Sequence, residues 1–494
     1  MTQKWGRLLI AAALVCSTFL LPTNSNAQIV PPPAPAEKPP MGWNSWDSYG
    51  LQINEQQFRD NTTVLAKRLS PFGYRFVVID EGWYMENPEQ RSHPDRLQYA
   101  TDANGRFLPE PNRYPSAMRN GKNEGFTALA DWVHAQGLLF GIHVIRGIPK
   151  ISVERNAPIE GSSFTVRDAA DESSPCGWDP TSWGVKGNAA GQAWYDSLVR
   201  QFAGWGVDFL KVDCIATRPY RLTEIRQIHT AIERSGRPIV LSLSPGGTAL
   251  EHARELAPLA QMWRISNDVW DLWDTDKGFP KSVKSQFPVA AKWASTPRTR
   301  NWPDADMLAF GELRPTPPDG PGARKSRLTL REEKTQLTLW AFARSPLFVG
   351  TNLTLLDDET FNLITNPSIL AVDQDSHNSR QALVRGSLIA WTAGLRKGCT
   401  AVGLFNIGDT PEVFATSLAD IGLGGKSFCA KDAWTGKEEQ LTALNHPLAP
   451  HESRLLLFRP QPDPSASQVQ TDETCVQEST PTRSGKSRRK QKNN

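Results

Sequence analysis

A unit of striped helix, glycine stop and short apolar strand recurs along the first 350 residues of this chain, and few architectures can use such a repeat. Asn54 and Gln57 have the spacing of a capping box, and Phe58, Leu65 and Leu69 follow at helical spacing. Pro71 and Gly73 then end the run before an apolar strand at 75–80. Leu129, Trp132 and Val133 stripe a second helix, Gly137 stops it, and 138–143 is again apolar. Trp194, Leu198, Phe202 and Trp205 lead through Gly206 to a strand at 207–214. In the same way Ile225, Ile228 and Ile232 lead through Gly236 to 239–244. Runs at 41–46, 261–266, 307–310 and 347–350 bring the strand count to eight.

Eight strands separated by helices predict an α/β protein built on a (β/α)8 TIM barrel over residues 40–352, a span ordinary for that fold. A doubly wound open sheet would need a glycine-rich phosphate turn at a strand-to-helix junction, and Ser244-Pro245-Gly246-Gly247 reads only as a turn. From residue 353 to 460 the pattern changes to short strand-like runs at 388–392, 401–406, 413–417 and 454–458, divided by Gly, Asp and Pro. This reads as a small antiparallel β-domain.

The two ends of the chain read as non-barrel segments. Lys4 and Arg7 precede an apolar run at 8–21, and Ser25-Asn26-Ala27 supplies the small residues of a cleavage site, so residues 1–27 are expected to be a signal peptide. The expected destination is secreted or periplasmic. The apolar run falls short of the roughly 20 residues of a membrane span, and no later stretch reaches it. Residues 28–39 form a Pro-rich leader, and 461–494 read as a disordered basic tail with a solvated end, to which no function is assigned. Setting aside two cations in the leader peptide and six in the tail, the body of a chain of net charge +3 is mildly acidic, which excludes a nucleic-acid partner as the first reading. Five cysteines remain after the signal. In an oxidising compartment, Cys399 is expected to pair with Cys429 and Cys176 with Cys214, leaving Cys475 over. No CxxC or His cluster indicates a metal site, and no cofactor is implied.

Polar residues collect where the strands end: Asp80, Glu81, His143, Arg146, Lys211, Asp213, Ser244, Arg264 and Asp268. In a barrel of this kind those ends form one face, so carboxylates far apart in sequence become neighbours. The two-residue period of the strand at 207–214 puts Lys211 and Asp213 on one side, where the ammonium would keep the acid ionised, as a nucleophile requires. Asp268 lies among Trp263, Val269, Trp270 and Trp273, bulk expected to disfavour ionisation and suit a proton donor. An ordinary buried ion pair explains one Lys-x-Asp, but not two acids pushed in opposite directions. Seventeen Trp against seven Tyr is an unusual balance. Trp faces stack on sugar rings, although core packing accounts for most of them.

Several motifs, in order, resemble glycoside hydrolase family 27. They are Met41-Gly42-Trp43-Asn44-Ser45-Trp46, Ile79-Asp80-Glu81-Gly82-Trp83, Gly105-Arg106-Phe107-Leu108-Pro109, Phe140-Gly141-Ile142, Lys211-Val212-Asp213-Cys214, and Trp263-Arg264 with Asp268. Trp302-Pro303-Asp304-Ala305-Asp306-Met307-Leu308 and Ala371-Val372-Asp373-Gln374-Asp375 complete the set. The resemblance implies a barrel followed by a β-sandwich. It also implies retaining exo-hydrolysis of terminal α-D-galactosyl residues on oligo- or polysaccharides, with Asp213 as nucleophile and Asp268 as acid/base. Trp46, Asp80, Glu81, His143, Lys211, Ser244, Arg264 and Asp306 would hold the sugar.

Three positions depart from the family pattern. Asp80-Glu81 stands where two adjacent aspartates are usual, His143 replaces a tyrosine, and Ser244-Pro245-Gly246 replaces Cys-Glu-Trp. The extra methylene of Glu81 crowds the space that galactose fills with its CH2OH group, so β-L-arabinopyranoside is the first alternative substrate. An isomaltose-releasing glucanase and a catalytically silent carbohydrate-binding protein stand behind it.

Overall fold

The computed structural model describes residues 36–179, 181–296, 300–314, 322–424, 428–459 and 475–476. The expected signal peptide, most of the Pro-rich leader and almost all of the basic tail lie outside them.

Eight parallel strands curl into a barrel: β1 (Met41–Asn44), β2 (Phe76–Ile79), β3 (Leu139–Ile145), β4 (Phe209–Asp213), β5 (Val240–Leu243), β6 (Met262–Arg264), β7 (Trp302–Asp304) and β8 (Leu347–Val349), in the order β7-β6-β5-β4-β3-β2-β1-β8. Helices follow the strands, among them α1 (Glu55–Val64), α2 (Thr127–His134), α3 (Ala189–Gly204), α4 (Leu222–Ser235) and α5 (Leu330–Ala343). The capping box that opens α1 forms as read, with Asn54 Oδ1 accepting from the Gln57 N–H. Gly236 caps α4 at φ 70°, a left-handed turn that glycine adopts without strain.

The seventh strand corrects the sequence reading, which placed it at 307–310. Pro303 argues against a strand interior because it has no N–H, yet β7 pairs only with β6. Its ladder bonds run from the Trp302 N–H to Gln261 and from the Ile265 N–H to Asp304, so the missing donor faces the unpaired side. Leu308 instead closes the barrel: its N–H donates to Phe348 and its carbonyl accepts from Gly350, at 2.8 and 3.0 Å.

Strand parity divides the barrel interior in two. Phe76, Val78, Phe209, Val240, Met262, Trp302 and Phe348 pack as an apolar plug at the N-terminal ends of the strands. Gly141 makes room for it, since a Cβ there would meet Val78 Cγ2 at 2.8 Å and Phe209 Cβ at 3.0 Å. Two residues further along the same faces stand Asp80, Lys211 and then Asp213, and Ser244 beyond Ser242. Apolar residues thus seal one end while polar ones collect at the other.

The C-terminal region holds two antiparallel sheets. Six strands, β9 (His377–Arg385), β10 (Leu388–Gly394), β11 (Thr400–Asn406), β13 (Phe428–Asp432), β14 (Glu438–Leu441) and β16 (Ser453–Arg459), run in the order β9-β10-β11-β16-β13-β14. The remaining pair is β12 (Glu412–Ser417) with β15 (Ala443–Leu448). Leu388, Val402, Leu404, Leu456 and Phe458 pack with Phe414, Leu444 and Leu448 in the core of this domain. Residues of the opposite parity, such as Trp391 and Phe405, meet Phe342 of α5 with ring centroids 6.3 and 6.5 Å apart.

Cys176–Cys214 forms as expected, but Cys399 bonds Cys475, not Cys429. Thr400, next to Cys399, and Ala430, next to Cys429, flank Phe458 from opposite sides. The two cysteines are therefore two strand spacings apart, roughly 9.5 Å. That exceeds the roughly 7 Å Cα separation a disulfide can span. The intervening strand, invisible in the spacing of cysteines, decides the pairing.

Candidate active site

A cavity of about 400 Å³ opens at the C-terminal ends of the barrel strands. Trp46, Asp80, Glu81, Lys211, Asp213, Ser244, Arg264, Asp268 and Asp306 all line it, which brings together residues spread over 260 positions of sequence. His143 does not line it. Its ring is fully buried, with Nε2 3.3 Å from Asp213 Oδ2. Arg146, also at a strand end, is consumed by structure: it bonds Glu224 at 2.8 Å and the carbonyl of Cys214 at 2.7 Å.

One wall is a buried charge cluster carried on strands. Lys211 Nζ donates to Asp80 Oδ2 at 2.8 Å, where Asn44 also donates at 2.7 Å. The direct partner of Lys211 is thus Asp80, not Asp213. Burial alone would raise the Asp213 carboxyl, but the charges of Lys211 and His143 outweigh it and hold the group below the usual carboxylate range. Asp80 is pushed the same way, against its own burial, by Lys211 and His143. His143 is raised by Asp80 and Asp213 despite the desolvation that opposes its charge. Asp213 Oδ1 has no hydrogen-bond partner, so one oxygen of an ionised carboxylate is uncommitted.

The opposite wall is built on the loop after β6. Arg264 donates to Asp306 Oδ2 at 2.5 Å and to Asp268 Oδ1 at 3.1 Å. Asp306, at φ 92°, also accepts the Val269 N–H at 2.7 Å, which fixes the residue next to Asp268. Burial raises the Asp306 carboxyl, with Asp268 adding to the rise and Arg264 opposing it. The Asp268 side chain is 35% exposed, unlike Asp213 at 12%. Of the apolar bulk expected around it, Val269 and Trp270 line the cavity with Asp268, while Trp263 packs against Trp293 and Trp273 stacks on His451 at 4.3 Å.

Sequence reading missed two lining residues, Arg91 and Asp47, and the buried Asp179 that pairs with Arg91. Arg91, ten residues past Glu81, forms a short ion pair with it and lies 3.5 Å from the fully buried Asp179. Burial raises the Glu81 carboxyl, Arg91 opposes the rise and Asp179 adds to it. The disulfide to Cys214 ties the loop bearing Asp179 to the residue after Asp213. Asp47 is buried in the cavity lining, its carboxyl raised by burial and by Asp306, in space left because a Cβ at Gly350 would overlap it. Arg91 and Asp179 lie in long loops without periodicity, so only proximity identifies them. For Asp47 the sole signal was its place beside Trp46.

A sealed barrel whose open end holds two carboxylates, each beside a cation, is the architecture of a glycoside hydrolase. Residues 179–375 match the family model for alpha galactosidase A, and 385–458 match that for the alpha galactosidase C-terminal beta sandwich domain. The α-galactosidase of Oryza sativa subsp. japonica is 26% identical over 431 residues, 85% of each chain. The structure of a family 27 β-L-arabinopyranosidase from Geobacillus stearothermophilus is 38% identical with a TM-score of 0.80, covering 86% of this chain and 97% of that one. A putative α-N-acetylgalactosaminidase from Bacillus halodurans is 35% identical with a TM-score of 0.75, covering 86% and 97%. The chain belongs to glycoside hydrolase family 27, the α-galactosidase family. It is a glycoside hydrolase of that type acting on carbohydrate. Among the described residues no helix is long and apolar enough to cross a membrane.

Proposed function

We propose that this chain is an exported, retaining exo-glycosidase for galacto-configured pyranosides, with β-L-arabinopyranose preferred over α-D-galactose in the cavity. The two sugars share the configuration at C1 to C4 and differ only in the CH2OH group that galactose carries on C5. The observation that carries the preference is the corner beside Asp80, where Glu81, one methylene longer than aspartate, is clamped by Arg91, and Arg91 by Asp179. Two side chains held in place there leave less room for an exocyclic carbon. The similarity to a β-L-arabinopyranosidase supports the same reading. The unclamped alternative, with Glu81 turned away, would give a plain α-galactosidase.

In this mechanism Asp213 attacks the anomeric carbon as Asp268 protonates the departing glycosidic oxygen. Asp268 then takes a proton from the water that releases the glycosyl-enzyme. Such double displacement asks for carboxyls about 5–5.5 Å apart. Lys211 and His143 keep Asp213 ionised for the attack, and the exposure of Asp268 gives leaving group and water a common path to it. The test is a side-by-side comparison of kcat/KM on aryl β-L-arabinopyranoside and aryl α-D-galactopyranoside. A clear galactoside preference would overturn the crowding argument, and inversion of the product anomer would overturn the mechanism.

A further inference from the structure

Six carboxyls line the cavity, and five of them are paired with a side-chain nitrogen of the protein: Asp80 with Lys211, Glu81 with Arg91, Asp213 with His143, and Asp268 and Asp306 with Arg264. The sixth, Asp47, has no such partner. Its backbone carbonyl accepts the Arg314 N–H at 3.0 Å, but among the described residues no donor meets its carboxyl. The residue is nevertheless only 4% exposed, so the group is withdrawn from bulk water into the cavity lining. A buried carboxyl left without a hydrogen bond destabilises the fold, and its persistence calls for a physical reason.

The surrounding fold is shaped to hold the group there. A Cβ at Gly350 would lie 1.9 Å from Asp47 Oδ2. Gly350 does not adopt a positive φ, so its missing side chain makes room for the carboxyl rather than for a turn. The two segments are fastened on both sides of that contact: the Ser48 hydroxyl donates to the Gly350 carbonyl, and Trp43 Nε1 donates to the Thr351 carbonyl at 2.8 Å. Burial raises the Asp47 carboxyl; Asp306 on one wall adds to the rise, and Lys211 on the other opposes it. A neutral carboxyl both donates and accepts, as a sugar hydroxyl does, so the two can bond each other without bringing a charge into the site.

The rest of the site leaves one hydroxyl for it. Asp213 and Asp268 must flank C1, and the clamped Glu81 crowds the substituent on C5. The 2-hydroxyl, next to C1, falls to the Arg264–Asp268 pair, and the 4-hydroxyl, next to C5, falls to Asp80 beside Glu81. C3 lies across the ring from the ring oxygen, and Asp47 lies between the two walls. We propose that Asp47 binds the 3-hydroxyl of the glycone and is a further specificity-determining residue, selecting pyranosides that carry a free hydroxyl on C3. The proposal rests on the glycosidase reading given above, and adds to it a ligand contact that the five paired carboxyls do not supply.

The experiment takes whichever parent wild-type enzyme cleaves faster, aryl β-L-arabinopyranoside or aryl α-D-galactopyranoside, and compares it with its 3-deoxy and 2-deoxy analogues. In Asp47→Ala, kcat/KM on the parent and on the 2-deoxy analogue should fall by about tenfold, the size of one hydrogen bond. The 3-deoxy analogue should be cleaved as it is by wild type. Asp47→Asn, which keeps a donor and an acceptor, should restore most of the loss, and Asp47→Ser, too short to reach the hydroxyl, should repeat the alanine pattern. An equal proportional loss on all three glycosides in both truncations makes Asp47 a structural residue and overturns the proposal. A loss that vanishes on the 2-deoxy instead of the 3-deoxy analogue overturns the placement at C3. Absence of hydrolysis of both parents by wild-type enzyme overturns instead the glycosidase reading beneath it.

Discussion

The two walls of the cavity hold carboxylates in opposite ways. Asp213 stands on a strand, buried, with His143 3.3 Å away and the field of Lys211 behind it. Asp268 stands on a loop, a third exposed, joined to the barrel through Arg264 and the backbone bonds of its neighbours. A group that must stay charged benefits from a rigid cluster of opposite charge, whereas a group that gives and takes a proton needs access to leaving group and water. The comparison teaches that strand-borne residues set the charge of this site and loop-borne residues set its traffic.

The largest break in that comparison is Asp213→Asn. Turnover should fall on the order of 10⁴-fold with every substrate if the proposed nucleophile is lost. Circular dichroism should show the fold unchanged, and a variant that kept its activity would remove Asp213 from the mechanism. Asp268→Asn should separate substrates where Asp213→Asn does not. The loss should be about 10²–10⁴-fold on alkyl glycosides, whose leaving oxygens need a proton, and far smaller on an activated aryl glycoside. Equal losses on both would place the proton donor elsewhere.

A smaller effect sharpens the corner between the walls. Glu81→Asp should raise kcat/KM for α-D-galactoside relative to β-L-arabinopyranoside by about tenfold, the scale at which one methylene discriminates. An unchanged ratio would mean that Arg91 does not hold Glu81 in the sugar's space.

The smallest effect is one of pH. His143 is raised above its ordinary value by Asp80 and Asp213, so its charge stabilises the fold fully below the unfolded value of about 6.5. That contribution disappears as pH rises through the higher native value. The difference in urea stability between wild type and His143→Asn should therefore shrink on going from pH 6 to alkaline pH. The lowered carboxyls of Asp80 and Asp213 act in the opposite sense: their contribution is present above about 3.9 and is lost as acid titrates them. A pH-independent difference would show that His143 serves by shape alone.

What could be read in advance follows the same division. Asp80, Lys211, Asp213 and Ser244 were legible because they continue strand faces whose apolar residues announce the period. The Lys-x-Asp spacing points Lys211 at the acid two residues away, yet it bonds Asp80 beyond the intervening strand of His143, since curling the sheet into a barrel turns the inward side chains of non-adjacent strands toward one another. Trp263 and Trp273 were near Asp268 in sequence and are packed elsewhere in space. Arg91 and Asp179 had no local signal at all.

By itself, the order of striped helices, glycine stops and apolar runs determined a barrel with its polar residues at one rim, because secondary-structure periods are local and their sum admits few closures. The same sequence determined the second, antiparallel domain and pointed to Asp213 and Asp268, which both line the cavity. Only the tertiary structure decided that Pro303 lies in the seventh strand, that Cys399 bonds Cys475 while a strand separates it from Cys429, and that Arg91, paired with Asp179, clamps Glu81. Each of these depends on which segments lie side by side, and proximity between distant segments is set by packing the whole core.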